Sequence, residues 1–403
     1  MADFRLMQEL AIESSSKIVL LVLDGLGGIP QTPAGPTELE AAERPNMNRL
    51  AAQGMLGQTL PVGHGITPGS GPGHLGLFGY DPLRYDIGRG VLEAFGIGVP
   101  VGPEDVAARG NFCTIDRTGQ IIDRRAGRIA TDDARPLVEK LAGITLPGVE
   151  FEVKPVKEYR FVVVMRGSGL SSALSETDPQ RTGASPLPVK PLEPAAERAA
   201  GFFNQWVDAA RARLANDHPA NMVTLRGFSG DPRLPQFESI YKMRPACVAV
   251  YPMYRGVARL VGMKTIDFPG DKPADEFRAL ASVWDEFDFF FVHVKPTDSR
   301  GEDGDFAAKV KVIESVDAAL PAILDLNPDV LIITGDHSTP AKMKTHSWHP
   351  VPLLLWAPQT IRPDDERGFG ERACARGGLG TILAADLMPI AMAHAGRLTK
   401  YGA

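Results

Sequence analysis

Residues 17–24 read KIVLLVLD, six consecutive apolar residues that end in an Asp-Gly step. An unbroken apolar run of strand length, closed by turn residues, is a strand buried on both faces, and such strands belong to parallel sheets covered by helices. A chain built around this segment must therefore supply crossover helices, and the pattern downstream does so. Residues 46–54 (NMNRLAAQG) form a short helical pattern closed by Gly54, and residues 55–62 are the next strand. The same rhythm returns in a helix at about 195–214, strands at 221–225 and 246–251, and a helix at 254–262. A helix at 273–286 with Pro in its first turn, a strand at 287–294, a helix at 306–320 and a strand at 329–334 complete it. The expected fold class is α/β, a doubly wound, mostly parallel sheet.

Between these halves the period changes. Residues 111–122 alternate around Thr118-Gly119 like a hairpin, followed by a helix near 132–141 and a single strand at 159–165. This predicts an inserted α+β cap over residues 112–183 within a discontinuous main domain of 17–111 and 184–400, with residues 1–16 as a loose N-terminal arm. The Pro-rich stretch TGASPLPVKPLEP (182–194) reads as the linker that returns the chain to the main sheet.

Composition narrows the function. With Gly 42 and Pro 34 in 403 residues the chain is rich in turns, which excludes collagen and coiled coil. A net charge of −6 with no long Lys/Arg block removes the positive field that nucleic-acid binding needs. The longest apolar stretches are strand-length, so no membrane span is expected, and Asp3, Arg5, Glu9 and Glu13 interrupt the N-terminus as a secretory segment. Cys113, Cys247 and Cys374 are odd in number, far apart and without metal-ligand spacing, which points to free thiols in the cytoplasm. The sequence carries no signal for oligomeric state.

Asp24, Asp298 and the pair Asp336-His337 all fall at or just past the carboxyl ends of predicted parallel strands, the edge where open α/β sheets hold their ligands. One strand-end Asp is ordinarily a helix cap or a turn residue. Several, with His346 nine residues after His337, are what an oxygen-and-nitrogen metal site assembled from distant segments needs. In TPGSGPGHLGLFGYDP (67–82), Ser70 sits between glycines ahead of a short helical stretch, where free amides favour a phosphate; the bland alternative is a plain turn. His74, one helical turn on, either touches that phosphate or packs locally. His64 and His293 read as ordinary structural histidines, His293 as hydrogen-bonded in the core.

Taken in order, LVLDGLGG, TELEAAERPNMNRLAAQG, PGSGPGHLGLFGYDP, GRGVLEAFGIG, ARGNFCTID, DRRAGRI, YRFVVVMRG, KPTDSRGEDGDF, TGDHSTP and HSWHPVP resemble the 2,3-bisphosphoglycerate-independent phosphoglycerate mutases of archaeal type, within the alkaline phosphatase superfamily. The resemblance covers roughly residues 17 to 395. It implies an alkaline phosphatase-like fold and two divalent metal ions, Mn²⁺ or Mg²⁺, with no 2,3-bisphosphoglycerate. Asp24, Ser70, Asp336 and His337 would hold one ion, and Asp298, Glu302 and His346 the other, with Ser70 as the nucleophile that becomes phosphorylated. Many relatives have His where this chain has Glu302. Four carboxylates then balance two divalent charges, which favours the harder ions over Zn²⁺. HSWHPVP offers both His346 and His349, and the HSxxPVP frame singles out His346.

The implied reaction interconverts 3-phosphoglycerate and 2-phosphoglycerate, so the substrate is a small phosphorylated hydroxy acid. A mutase must keep glycerate bound and water out, which calls for cationic residues on the cap. Arg124, Arg125 and Arg128 of DRRAGR and Arg160 and Arg166 of YRFVVVMRG are the candidates, with Tyr251 and Arg255 further possibilities. The same nucleophile and metals would serve a phosphomonoester or phosphonate hydrolase, or a phosphotransferase to another small hydroxyl compound, and the sequence leaves these open.

Overall fold

A computed structural model describes residues 3–85 and 87–402. In chain order its strands are β1 (Ile18–Leu23), β2 (Met55–Leu60), β3 (Val106–Ile115), β4 (Ile121–Asp123), β5 (Glu150–Pro155), β6 (Arg160–Arg166), β7 (Met222–Ser229), β8 (Pro245–Ala249), β9 (Lys264–Thr265), β10 (Phe289–Val294), β11 (Val330–Thr334), β12 (Val351–Trp356) and β13 (Gly380–Leu383). The chain divides into two compact units, one running up to residue 86 and resuming at Leu234, the other Ile87–Arg233.

The first unit holds an eight-stranded sheet of order β13-β2-β12-β11-β1-β10-β8-β9. All six residues of β1 are fully buried, as its unbroken apolar run requires. It pairs in parallel with β10 from Ile18 opposite Phe289 to Leu23 opposite Val294, and with β11 from Ile18 opposite Val330 to Val22 opposite Thr334. Val19, Leu21 and Leu23 pack in one core with Phe277 and Leu280 of helix Pro273–Ser282 and Ile313 and Val316 of helix Phe306–Ala319. The sheet is mostly parallel, as expected. The exception, β12, runs antiparallel to both β11 and β2. Residues 335–350 contain no helix that could carry a parallel return.

The second unit is an antiparallel sheet of order β4-β3-β6-β5, with β7 on the other side of β3. Ala199, Phe203, Trp206, Ala210 and Leu214, three or four residues apart on helix Glu197–Leu214, form one buried stripe that packs with Phe112, Phe151 and Phe161. This unit is wider than the 112–183 expected from sequence. β3 already begins at Val106, and its partner β7 and the helix that covers the sheet lie beyond residue 183. Residues 182–194 are not a linker back to the main sheet: Ile121 N–H donates to Ala184 O at 2.9 Å and Ser175 N–H to Lys190 O at 2.9 Å, which ties them to this unit. The expected single strand, β6, has β3 and β5 on its two sides.

The N-terminal segment is packed, not loose. Helix Phe4–Leu10 buries Met7, Phe4 lies edge-on to Tyr80 with ring centroids 4.8 Å apart, and Ala11 bridges to Leu398. Among the described residues no helix is long and apolar enough to cross a membrane.

Because residues 87–233 hold their own core, that fragment expressed alone should melt cooperatively by circular dichroism. Residues 112–183 alone, lacking β7 and the helix Glu197–Leu214, should give no cooperative transition.

Candidate active site at the carboxyl edge of the sheet

Three adjacent strands, β11, β1 and β10, run parallel and in level register, so their carboxyl ends open on one place. Asp24 follows β1, Asp336 and His337 follow β11, and Asp298 sits in helix Pro296–Asp303 just after β10. All four are buried. Asp24, Asp336 and His337 offer ligand atoms within 4.8 Å of one another, and so do Asp298, His337 and His346. His337 belongs to both groups: its Nε2 is 3.3 Å from Asp24 Oδ1 and 3.2 Å from Asp336 Oδ2, and its ring stacks on that of His346 at 3.6 Å.

Ser70 is the first residue of helix Ser70–Leu77, whose start carries no side-chain cap. Its Oγ lies 3.2 Å from His337 Nε2. The helix comes this close because Gly73 has no side chain: a β-carbon there would stand 2.3 Å from the Asp336 carbonyl oxygen. Gly301 does the same for the helix bearing Asp298, where a β-carbon would meet Thr339 O at 2.2 Å. Thr339 Oγ1 donates to Asp298 Oδ1 at 2.6 Å and lies 2.9 Å from His337 Nδ1, joining the two groups.

Electrostatically the site is a buried excess of negative charge. Burial, reinforced by the Asp24 carboxylate, pushes Asp336 well above the usual carboxylate range. Burial acts on Asp24 in the same sense, but Lys295, with His293 and His337, overcomes it and holds Asp24 well below that range. Asp24 Oδ1 and Oδ2 and Asp336 Oδ2 accept no well-aligned hydrogen bond. Buried carboxylate oxygens in this condition are ordinarily metal ligands or strongly paired.

Glu302 is at the rim, its side chain 55% exposed and its Oε1 4.0 Å from His346 Nε2. Burial and Asp298 raise its pKa. His346 Nδ1 is fixed by Pro68 O at 2.9 Å, whereas His349 faces Ser347 Oγ at 3.0 Å and joins neither group. His74 packs locally and at the site at once, with Nδ1 2.7 Å from Ser70 O and 3.2 Å from Asp336 Oδ2; burial lowers its pKa to about 3, so the ring is neutral. His64 is exposed. His293 is fully buried, as expected, and it also faces the site: Nε2 is 3.3 Å from Asp24 Oδ2, and the ring stacks on Tyr254 at 3.7 Å.

Sequence reading passed over Lys295. Its Nζ lies 3.1 Å from Asp24 Oδ2 and is ion-paired with Asp298, and these two carboxylates raise its pKa although burial opposes them. Its place one residue past a buried strand, three before Asp298, was the available signal.

The arginines expected on the cap are spread over the second unit. Arg124 is held in a two-pronged pair with Asp178 at 3.1 and 2.8 Å, and Arg166 by Glu152 at 2.6 Å and by Asp105. Arg125 and Arg128 are exposed. Arg160 is 3.3 Å from Glu158 and stacks over Tyr159. It shares one environment with Arg89 and Arg109, since all three pull down the pKa of buried Glu93 against the burial that raises it. Arg89 and Arg109 were missed because an Arg within an apolar pattern reads as solvent-facing. Tyr251 precedes helix Pro252–Leu260, and Arg255 is tied to Asp267 and Ile266 O.

The fold and this edge, with a serine at a helix start against carboxylates and imidazoles, define an α/β enzyme of the phosphoryl-transfer type. A family model described as 2,3-bisphosphoglycerate-independent phosphoglycerate mutase matches residues 51–221. A Thermus thermophilus protein named as a probable enzyme of this kind is 51% identical over 404 residues, 99% of either chain, and one from Thermosipho africanus is 52% identical over 402 residues, again 99% of either. Among solved structures, a Pyrococcus horikoshii protein is 31% identical with a TM-score of 0.83, covering 96% of this chain and 99% of the other. The cofactor-independent phosphoglycerate mutase of Thermoplasma acidophilum is also 31% identical, with a TM-score of 0.72, covering 94% and 100%. The chain belongs to the 2,3-bisphosphoglycerate-independent phosphoglycerate mutases.

Proposed function

We propose that this protein interconverts 3-phosphoglycerate and 2-phosphoglycerate through a phosphorylated Ser70, without 2,3-bisphosphoglycerate. The observation that carries this reading is Ser70 Oγ, at an uncapped helix start and 3.2 Å from His337 Nε2, beside the buried Asp24 and Asp336.

The buried oxygens of Asp24 and Asp336 that accept no well-aligned hydrogen bond, in a donor set of oxygen and nitrogen alone, fit divalent cations. Asp24, Ser70, Asp336 and His337 would hold one, and Asp298, Glu302 and His346 the other; bound there, such ions lower the pKa of a hydroxyl and neutralise phosphoryl oxygens. Ser70 Oγ attacks phosphorus, so the Oγ–P bond forms as the bond from phosphorus to O3 breaks, and the serine proton ends on O3 of glycerate. Glycerate turns, its O2 attacks phosphorus, the Oγ–P bond breaks, and the O2 proton returns to Ser70. The amides at the start of helix Ser70–Leu77 and the ammonium of Lys295 face the transferred group's negative charge. For retaining glycerate, the group of Arg89, Arg109 and Arg160, three cations facing Glu93 and Glu158, suits a carboxylate better than Arg124 and Arg166, each held in short pairs with carboxylates. Three buried free cysteines support a cytoplasmic setting.

Phosphorus NMR with Mn²⁺ and 3-phosphoglycerate, no bisphosphoglycerate added, should show 2-phosphoglycerate growing to a constant ratio with little free phosphate, and Ser70→Ala should abolish it. Accumulating phosphate would instead identify a hydrolase. Arg109→Met should raise KM about tenfold with kcat little changed, the loss of one charged hydrogen bond. Mn²⁺ or Mg²⁺ should activate better than Zn²⁺, and Glu302→His should move that ranking toward Zn²⁺; an unchanged ranking removes Glu302 from the ligand set.

A further inference from the structure

Lys309, on helix Phe306–Ala319, is fully buried, an unusual state for a lysine. Its Nζ donates to Gly25 O at 2.8 Å, Gly27 O at 3.2 Å and Thr339 O at 2.9 Å. These carbonyls come from two loops. One follows β1 and begins at Asp24; the other follows β11 and contains Asp336 and His337. The loops also touch directly, since Thr339 N–H donates to Gly25 O at 3.2 Å and Gly27 O at 3.0 Å. Two carboxylates hold the outer amides of the same loops: half-buried Glu371 accepts from Gly28 N–H at 2.9 Å, and buried Glu38 from Ala341 N–H at 2.7 Å. Burial lowers the Lys309 pKa and Glu38 opposes the shift. Three carbonyl acceptors match the three N–H bonds of an ammonium, whereas a neutral amine would turn its lone pair on one of them.

We propose that Lys309 is a positioning residue whose ammonium acts as a built-in cation, setting the spacing between the loop that carries Asp24 and the loop that carries Asp336 and His337. The proposal rests on the reading that these residues hold divalent cations. Removing the ammonium takes a charged donor from all three inward carbonyl oxygens, leaves Thr339 O without it and Gly25 O and Gly27 O with only the shared Thr339 N–H, and the loops separate or admit water. The ligand atoms of Asp24, Asp336 and His337, drawn from both loops, then lose their common geometry, and His337 carries the change to the group it forms with Asp298 and His346. Groups that orient metal ligands from behind typically change affinity or activity 10–100-fold when removed.

The test is Mn²⁺ binding by electron paramagnetic resonance on the full-length, metal-stripped protein, with kcat and KM measured alongside. Lys309→Ala should weaken Mn²⁺ binding at least about tenfold and lower kcat, with KM for phosphoglycerate within about twofold. n-Propylamine, which supplies the deleted carbons and nitrogen, should restore Mn²⁺ binding to this variant and leave wild type unaffected. Lys309→Met keeps the unbranched chain up to the position of the ammonium and carries the test where the alanine variant does not fold. Equal Mn²⁺ affinity in wild type and either folded variant, or a weakened alanine variant that the amine does not restore, overturns the role of Lys309. Wild-type protein that binds no Mn²⁺ overturns the metal assignment itself.

Discussion

Asp24 and Asp336 are both withdrawn from water and face one histidine, and two carboxylates in that condition require nearby positive charge. Much of the first unit is arranged around this demand. Lys295 approaches Asp24 from the end of β10, and the neutral His74 and His293 line the protein side of the pair. These contacts still leave carboxylate oxygens with no well-aligned hydrogen bond, and Ser70 Oγ stands 3.2 Å from the His337 ring they share. The same features suit phosphoryl transfer, in which the enzyme mainly positions groups and neutralises oxygens.

Placement depends on backbone approaching backbone. Gly73 and Gly301 remove the side chains that would hold two helices away from Asp336 and Thr339. Thr339 then bonds Asp298 and contacts His337, and its main chain bonds the loop after β1. Thr339, three residues past Asp336, thus links its own loop to one segment about forty residues earlier and another about three hundred residues earlier in the chain. Such links explain how side chains on loops can be held at fixed distances without regular secondary structure.

The first unit was legible because its signals are local. An apolar run of strand length with an Asp at or a few residues past its end needs no knowledge of partners to be read as a buried parallel strand, and β1, β10 and β11 all follow that pattern. The second unit was legible only in part, because antiparallel strands are defined by what they pair with. β7 has the apolar look of a main-sheet strand, yet it bonds to β3 more than a hundred residues earlier. The helix at Glu197–Leu214 likewise has an unambiguous period, but its apolar stripe does not say which sheet it covers. The boundary at residue 112 followed from a hairpin whose first strand starts earlier than its alternation reveals.

The sequence by itself determined the fold class, the strand-end acidic residues, the serine at a helix start and the family. Each rests on residue type and spacing along one segment, or on the joint order of such segments. Tertiary structure decided which groups surround the carboxylates: Lys295 on Asp24, His293 stacked on Tyr254, His346 rather than His349 beside Asp298, and Lys309 beneath the loops. Periodicity assigns a residue to a face of an element. Distance, burial and charge compensation arise only when elements from remote parts of the chain meet, and those quantities decide what a lysine or histidine does.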